Sequence, residues 1–199
     1  MTSATATGQI VAAVGIPQGL VVDPVDGNKH GAVRRGGDLV SVSPADYQTW
    51  EALATPRSSR GLHEVQALEQ WPDLNDRLQR LRASRLVVDF DLARALTDDT
   101  EDLRPIPRGV GAGNVGDDTN IFRIHGPTAT PLEVDPITVM LWWEFDGLTS
   151  LKRAVELVAS RLPNVDSDQL GHLAVALTLA LLAQRLIYLD CPAAVGRAA

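Results

Sequence analysis

The chain has a single cysteine, Cys191, and that scarcity removes two classes of protein at once. No internal disulfide can form and no cysteine-based metal site can assemble, so a reducing, cytoplasmic setting fits. Lysine is scarce as well: Lys29 and Lys152 are the only ones, and arginine supplies the remaining basic residues. With the abundant alanine and valine, that bias points to a GC-rich bacterial genome. Positive charge is short overall, since 18 Lys and Arg face 25 Asp and Glu for a net charge of -7. Such a balance disfavours a broad, sequence-independent nucleic-acid surface, because neutralising phosphates needs a local basic excess. Long hydrophobic runs are missing too. The most apolar stretch, Leu173 to Ala183, is far shorter than the roughly 20 residues that span a bilayer. It reads as a buried helix, and no membrane partner is expected. The opening, Met1 to Thr7, lacks the basic n-region of a secretory signal. The four histidines, His30, His63, His125 and His172, have no second His, Cys or carboxylate at the spacing of a familiar metal or triad motif. Nucleophile elbows and phosphate loops are absent. Hence no metal, no cofactor and no catalytic residue are expected, and the chain reads as a non-enzyme.

What is present is repetition. Ile16-Pro17-x-Gly19, Val25 and Gly36 recur as Ile106-Pro107-x-Gly109, Val115 and Gly126, a shift of about 90 positions. Val42-x-Pro44 and Trp50-Glu51 answer Val134-x-Pro136 and Trp142-Trp143-Glu144. Ala83-Ser84-Arg85-Leu86-Val87-Val88 answers Ala183-Gln184-Arg185-Leu186-Ile187-Tyr188. Three ordered blocks are not chance. They predict a tandem duplication of one small domain.

Within each copy, strands come first and helices follow. Leu20 to Val22 and Ala32 to Arg34 flank Asp26-Gly27, a strong hairpin signal, and Asp38 to Val42 follows the turn at Gly36-Gly37. Ser43-Pro44 then starts a helix with a capping serine and a first-turn proline. Leu62 to Gln70 and a segment opened by Pro72-Asp73 read as two further helices, closed by the strand-like Leu86 to Val88. The second copy repeats this order: a turn at Gly116-Asp117, strands at Ile121 to Ile124 and Leu132 to Val134, and a helix capped by Asp135-Pro136. Leu151 to Leu162 and a long helix from Asp166 or Ser167 to Arg185 complete it. The fold class is therefore α+β, a tandem duplication of a small winged-helix-like domain with short antiparallel strands and three helices per copy. The expected boundaries are a flexible leader at 1–14, the first domain at 15–96, an acidic linker at 97–104, the second domain at 105–190 and a flexible tail at 191–199.

Several motifs bear on chemistry. Gly111-x-Gly113-x-x-Gly116 spells a dinucleotide fingerprint, but prolines precede it and Asp117-Asp118 would repel a pyrophosphate, so a hairpin arm is expected instead. Glu51 and Glu144 follow the tryptophans at matching positions and read as helix-surface charges. Trp50 and one of Trp142 and Trp143 read as core anchors, and the surplus indole, Trp143, becomes a partner-site candidate. Arg77, Arg80, Arg82 and Arg85 fall along the third helix of the first copy, where a winged helix would carry its recognition residues. They are the case for DNA. The matching second helix is apolar all round, hence buried or covered by a partner.

The second copy also resembles the PqqD-type peptide-recognition domain. The likeness is carried by Val134-Asp135-Pro136, Leu141-Trp142, Phe145-Asp146-Gly147, Leu151, Ala154-Val155, Leu157-Val158 and Leu162, then a leucine-rich helix ending Arg185-Leu186-Ile187. The first copy is similar through Val42-Ser43-Pro44, Trp50, Leu62, Leu78 and Leu86, but lacks the Asp-Gly after its tryptophan. The resemblance implies that a precursor peptide adds as a strand beside the third sheet strand and docks side chains against the third helix. The contact surface would then include Leu39, Val40 and Leu78, or Leu132, Val134, Leu173 and Leu177. The expected function is a non-enzymatic adaptor for a peptide or protein partner. The alternative is a DNA-associated winged-helix regulator or an accessory protein of a chromosome complex.

Overall fold

The computed structural model describes residues 8–116, 118–126 and 130–192. Its first strand, β1 (Gln9–Ala13), lies between the short β5 (Arg57–Ser58) and β6 (Val87–Asp91), antiparallel to both. Between these lie a three-stranded antiparallel meander of β2 (Ile16–Val22), β3 (Lys29–Arg35) and β4 (Asp38–Val42), and three helices, α1 (Pro44–Ala52), α2 (Ser59–Glu69) and α3 (Leu74–Ala83). A similar order, without a strand in the place of β5 among the described residues, then follows. Strand β7 (Arg104–Pro107) pairs antiparallel with the closing β11 (Ile187–Asp190), and β8 (Val110–Val115), β9 (Asp118–His125) and β10 (Leu132–Val134) form the second meander. Helices α4 (Pro136–Trp143), α5 (Leu151–Arg161) and α6 (Ser167–Ala183) follow. The chain is thus mixed α+β, with small antiparallel sheets and six helices among the described residues. None of those helices is long and apolar enough to cross a membrane.

Local chemistry sets these boundaries in the same way in both halves. Ser43 and Asp135 cap α1 and α4, each followed by proline, and each accepts a backbone N–H from the first turn. Ser58 and Ser150 cap α2 and α5 by accepting from Gly61 and Arg153, and Asp166 caps α6. Helices α3 and α6 leave through matched left-handed residues, Arg85 (φ 52°) and Arg185 (φ 56°). There Leu86 N–H donates to the Leu81 carbonyl and Leu186 N–H to the Leu181 carbonyl, both at 2.8 Å. These bonds satisfy carbonyls that the helix end would leave bare.

The Ile-Pro tetrapeptides do not correspond in space. Ile16-Pro17 opens β2, whereas Ile106-Pro107 lies in β7, which pairs with the closing strand of its half as β1 does with β6. Gly109 and Gly15 share a setting instead. A Cβ on Gly15 would meet Val33 Cγ1 at 2.5 Å and the Arg34 oxygen at 2.9 Å; on Gly109 it would meet Ile124 Cγ2 at 3.4 Å and the His125 oxygen at 2.7 Å. Each glycine lets the outgoing chain lie against the middle strand of its own meander.

The expected leader is corrected from Gln9 onward, while residues 1–7 lie outside the described set, as does the tail from 193. Strand β1 is a wall between two cores. Val11 and Ala13, with Val87 of β6, face a core of Val33, Trp50, Leu53, Leu81 and Leu86. Ala12 and Val14, with Val88 and Phe90, face the core built by Ile124, Leu141, Trp142, Phe145 and Leu181. Strand side chains alternate between faces, and both faces here are apolar, so the sequence lacks the polar contrast that marks a half-buried strand. The stretch expected as a linker is also packed. Thr100 and Leu103 are buried, and the carbonyls of Leu103 and Glu101 accept the first two N–H groups of α5 at 2.8 and 3.0 Å.

Candidate functional site

Both meanders end in a strand with no partner on its outer side among the described residues, β4 in the first half and β10 in the second. On β4, Val40 and Val42 turn inward and pack against the first core, while Leu39 points out and is 64% exposed. On β10, Leu132 and Val134 face the second core, and the outward Glu133 pairs with Arg123 of β9 at 2.7 Å. The two edges therefore differ: one offers an apolar side chain, the other an ion pair.

Of the residues expected to dock a peptide, the structure leaves Leu39 exposed and Val40, Leu132 and Leu173 half-buried. Leu78, Val134 and Leu177 are buried in the cores and offer no free surface. The third helices use their apolar stripe to close their own halves before any partner arrives. In α6, eight residues from Leu170 to Leu182 are buried, so the all-apolar helix is a core helix.

The tryptophans sort clearly. Trp50 and Trp142 are the matched anchors, 2% and 5% exposed. The Trp50 indole N–H donates to the Val14 carbonyl at 2.9 Å, tying α1 to the end of β1. Gly111 lies against the Trp142 indole, where an added Cβ would sit 3.1 Å from Nε1. Trp143 is 60% exposed. Its ring meets Phe122 edge-on at 6.2 Å, and Phe122 is the cross-strand neighbour of Val134. An aromatic pair thus stands beside the second meander.

The arginines of α3 are mostly engaged inside the fold. Arg77 is buried, bonds Asp73 at 2.8 Å and lies over the Trp71 ring at 5.3 Å; it holds the Asp73 carboxyl below the usual carboxylate range. Arg80 clamps Asp46 at the start of α1 at 2.7 Å, and that bond raises its pKa. Arg82 makes a two-pronged contact with Asp89 of β6, both bonds 2.8 Å, with the same effect. Arg85, at the left-handed turn after α3, is exposed and forms no ion pair among the described residues. The glycine fingerprint sits in a hairpin: Gly111 and Gly113 belong to β8, and Gly116 (φ 58°) turns toward β9 with no helix following. The placement of Asp117 lies outside the described residues. Glu144 pairs with Arg161 at 2.7 Å. Among the described residues no group of three or more His, Cys, Asp or Glu is arranged to hold a metal ion.

One feature escaped the sequence altogether. A cavity of about 210 Å³ opens between the halves, lined by Trp50, Glu51, Arg108, Arg185 and Tyr188 among others. Trp50, Glu51, Arg185 and Tyr188 fall in separate blocks of the sequence with no common spacing, so only the packing of one half on the other unites them with Arg108. No protein-family model matches the chain, and no curated protein matches it.

Proposed function

We propose that the two halves are copies of one winged-helix-like module, and that the chain is a non-enzymatic bacterial cytoplasmic adaptor that takes a peptide or protein segment on an open sheet edge. The observation that carries this reading is the unpaired outer side of β4 and of β10. A row of free backbone N–H and C=O groups is a template for a further strand, and flanking side chains supply the selectivity. Beside β4 those are Leu39 and Val40; beside the second meander they are Leu132, Leu173 and the exposed Trp143. Strand addition is also what the PqqD-type resemblance implies, which makes precursor-peptide recognition the most specific form of the reading. The recurrence of element order, caps, left-handed exits and the Gly15 and Gly109 approaches supports duplication.

The DNA reading has less behind it. Arg77, Arg80 and Arg82 each hold a carboxylate of the chain itself, and the net charge is -7. Capture of the tagged chain from nuclease-treated host extract, set beside a gel shift with generic duplex DNA across a salt series, separates the two. The adaptor reading predicts a discrete polypeptide retained at moderate salt and no shifted DNA. Retention of nucleic acid alone, released steeply as salt rises, would overturn it.

A further inference from the structure

The cavity between the halves belongs to neither half alone. The first half contributes Gly15, Trp50 and Glu51; the second contributes Arg108, Arg185 and Tyr188. Its apolar wall is fixed, because Trp50 is 2% exposed and its indole N–H is held by the Val14 carbonyl. Arg108 and Arg185 are both exposed, and neither forms an ion pair among the described residues, although Glu51 lines the same space. The Arg108 guanidinium lies over the Tyr188 ring at 4.7 Å. Such a cation–π contact positions the guanidinium without taking up a hydrogen-bond acceptor, so N–H donors remain for a carboxylate. Arg185 projects from the pinned left-handed exit of α6.

On the proposed duplication, these features belong to one half only. The carbonyl of Leu86 accepts the N–H of Val14 in the first half, and that of Leu186 accepts the N–H of Arg108 in the second, so Arg108 stands where its counterpart is Val14. By the same register Tyr188 answers Val88, two residues after the matched leucine. Val14 and Val88 are buried in a core, whereas Arg108 and Tyr188 meet each other at the cavity. Divergence at two positions that converge on one empty space is the mark of a site rather than of packing.

Size and charge define the ligand. At about 210 Å³ the cavity exceeds the about 150 Å³ of an apolar cavity that accepts benzene, and it falls short of the roughly 300 Å³ at which drug-sized pockets begin. Two guanidiniums against one carboxylate leave a net positive site, and a planar fork matches a carboxylate. We propose that this cavity binds a small carboxylate with an aromatic or branched apolar body, either a free acid or the C-terminal residue of a peptide. This goes beyond the sheet-edge reading and does not depend on it.

Calorimetric titration of the full chain tests the site with four probes: phenylacetate, phenylacetamide, a short peptide ending in a free phenylalanine carboxylate, and the same peptide amidated. Binding of at least one carboxylate is expected, with its amide about tenfold weaker or worse, as loss of a charge-assisted bond dictates. Preference for phenylacetate identifies a free acid as the ligand; equal or tighter binding of the free-ended peptide identifies a chain terminus. Arg108→Leu and Arg185→Leu should each weaken the better carboxylate by about tenfold, and both positions are exposed, so the variants keep the fold, checked by circular dichroism. Leu39→Lys and Trp143→Ala should leave it unchanged. The proposal is overturned if no carboxylate binds at millimolar concentration, if amides bind as well as acids, or if both arginine variants bind like the parent.

Discussion

Adjacent tryptophans with opposite fates show how much hangs on a single residue. On a helix, neighbours point about 100° apart, so Trp142 enters the core and Trp143 cannot follow it. From the sequence Trp143 is the surplus indole, and the contact of Trp142 with Gly111 of β8 shows why its neighbour is the one left outside. The consequence is measurable by urea denaturation. Trp50→Phe keeps a phenyl ring but removes the pyrrole, opening space in the core and leaving the buried Val14 carbonyl without its donor, at a cost of at least about 1–3 kcal/mol. Trp143→Ala should shift stability by no more than about 0.5 kcal/mol, while weakening whatever binds beside β10. A large loss of stability in Trp143→Ala would mean that the ring closes the core rather than serving a surface. The docking leucines teach a related lesson. Leu78 and Leu177 recur at helical spacing, and that spacing describes a buried stripe equally well as a docking one.

At the scale of elements, starts and stops were legible because short-range chemistry makes them. Ser43-Pro44, Asp135-Pro136 and the Asp-Gly turn act within three or four residues, and each is found where the sequence places it. Strand β1 was not legible, since a short strand buried on both faces shows no alternation. The different settings of the two Ile-Pro tetrapeptides escaped the sequence for a similar reason: the Gly15 and Gly109 approaches are revealed only by the neighbouring strand. The cap of α4 carries a pH signature. Burial pushes the Asp135 carboxyl up, and hydrogen bonds from the Thr138 hydroxyl and the N–H groups of Thr138 and Ile137 outweigh it, so its pKa is lowered. With the folded value below the unfolded one, the stabilisation is full above about pH 4 and disappears as pH falls further. Asp135→Ala should therefore cost about 1 kcal/mol at neutral pH and flatten the acid limb of a stability–pH profile. Asp135→Asn should retain most of the neutral-pH stability and flatten the same limb. An unchanged acid limb in both would assign the titration elsewhere.

At the scale of the molecule, the two halves are joined by more than a tether. The β1–β6 ladder presents one face to each core, Gly15 N–H donates to the Leu189 carbonyl at 2.6 Å, and Gly36 N–H donates to Asp190 at 2.6 Å. The mixed α+β character was legible in the sequence, but this shared wall was not, because it depends on which faces meet. Nor was the cavity that the meeting encloses. Fusing the halves this way leaves the outer sides of β4 and β10 open among the described residues, and strand addition there requires that they stay available. Amide hydrogen exchange of the chain, alone and with the polypeptide captured from its host, measures that directly. Slowed exchange in Asp38–Val42 or Leu132–Val134 upon binding is the predicted result. Unchanged exchange in both strands, with protection confined to α3 and the Arg85 turn, would contradict it.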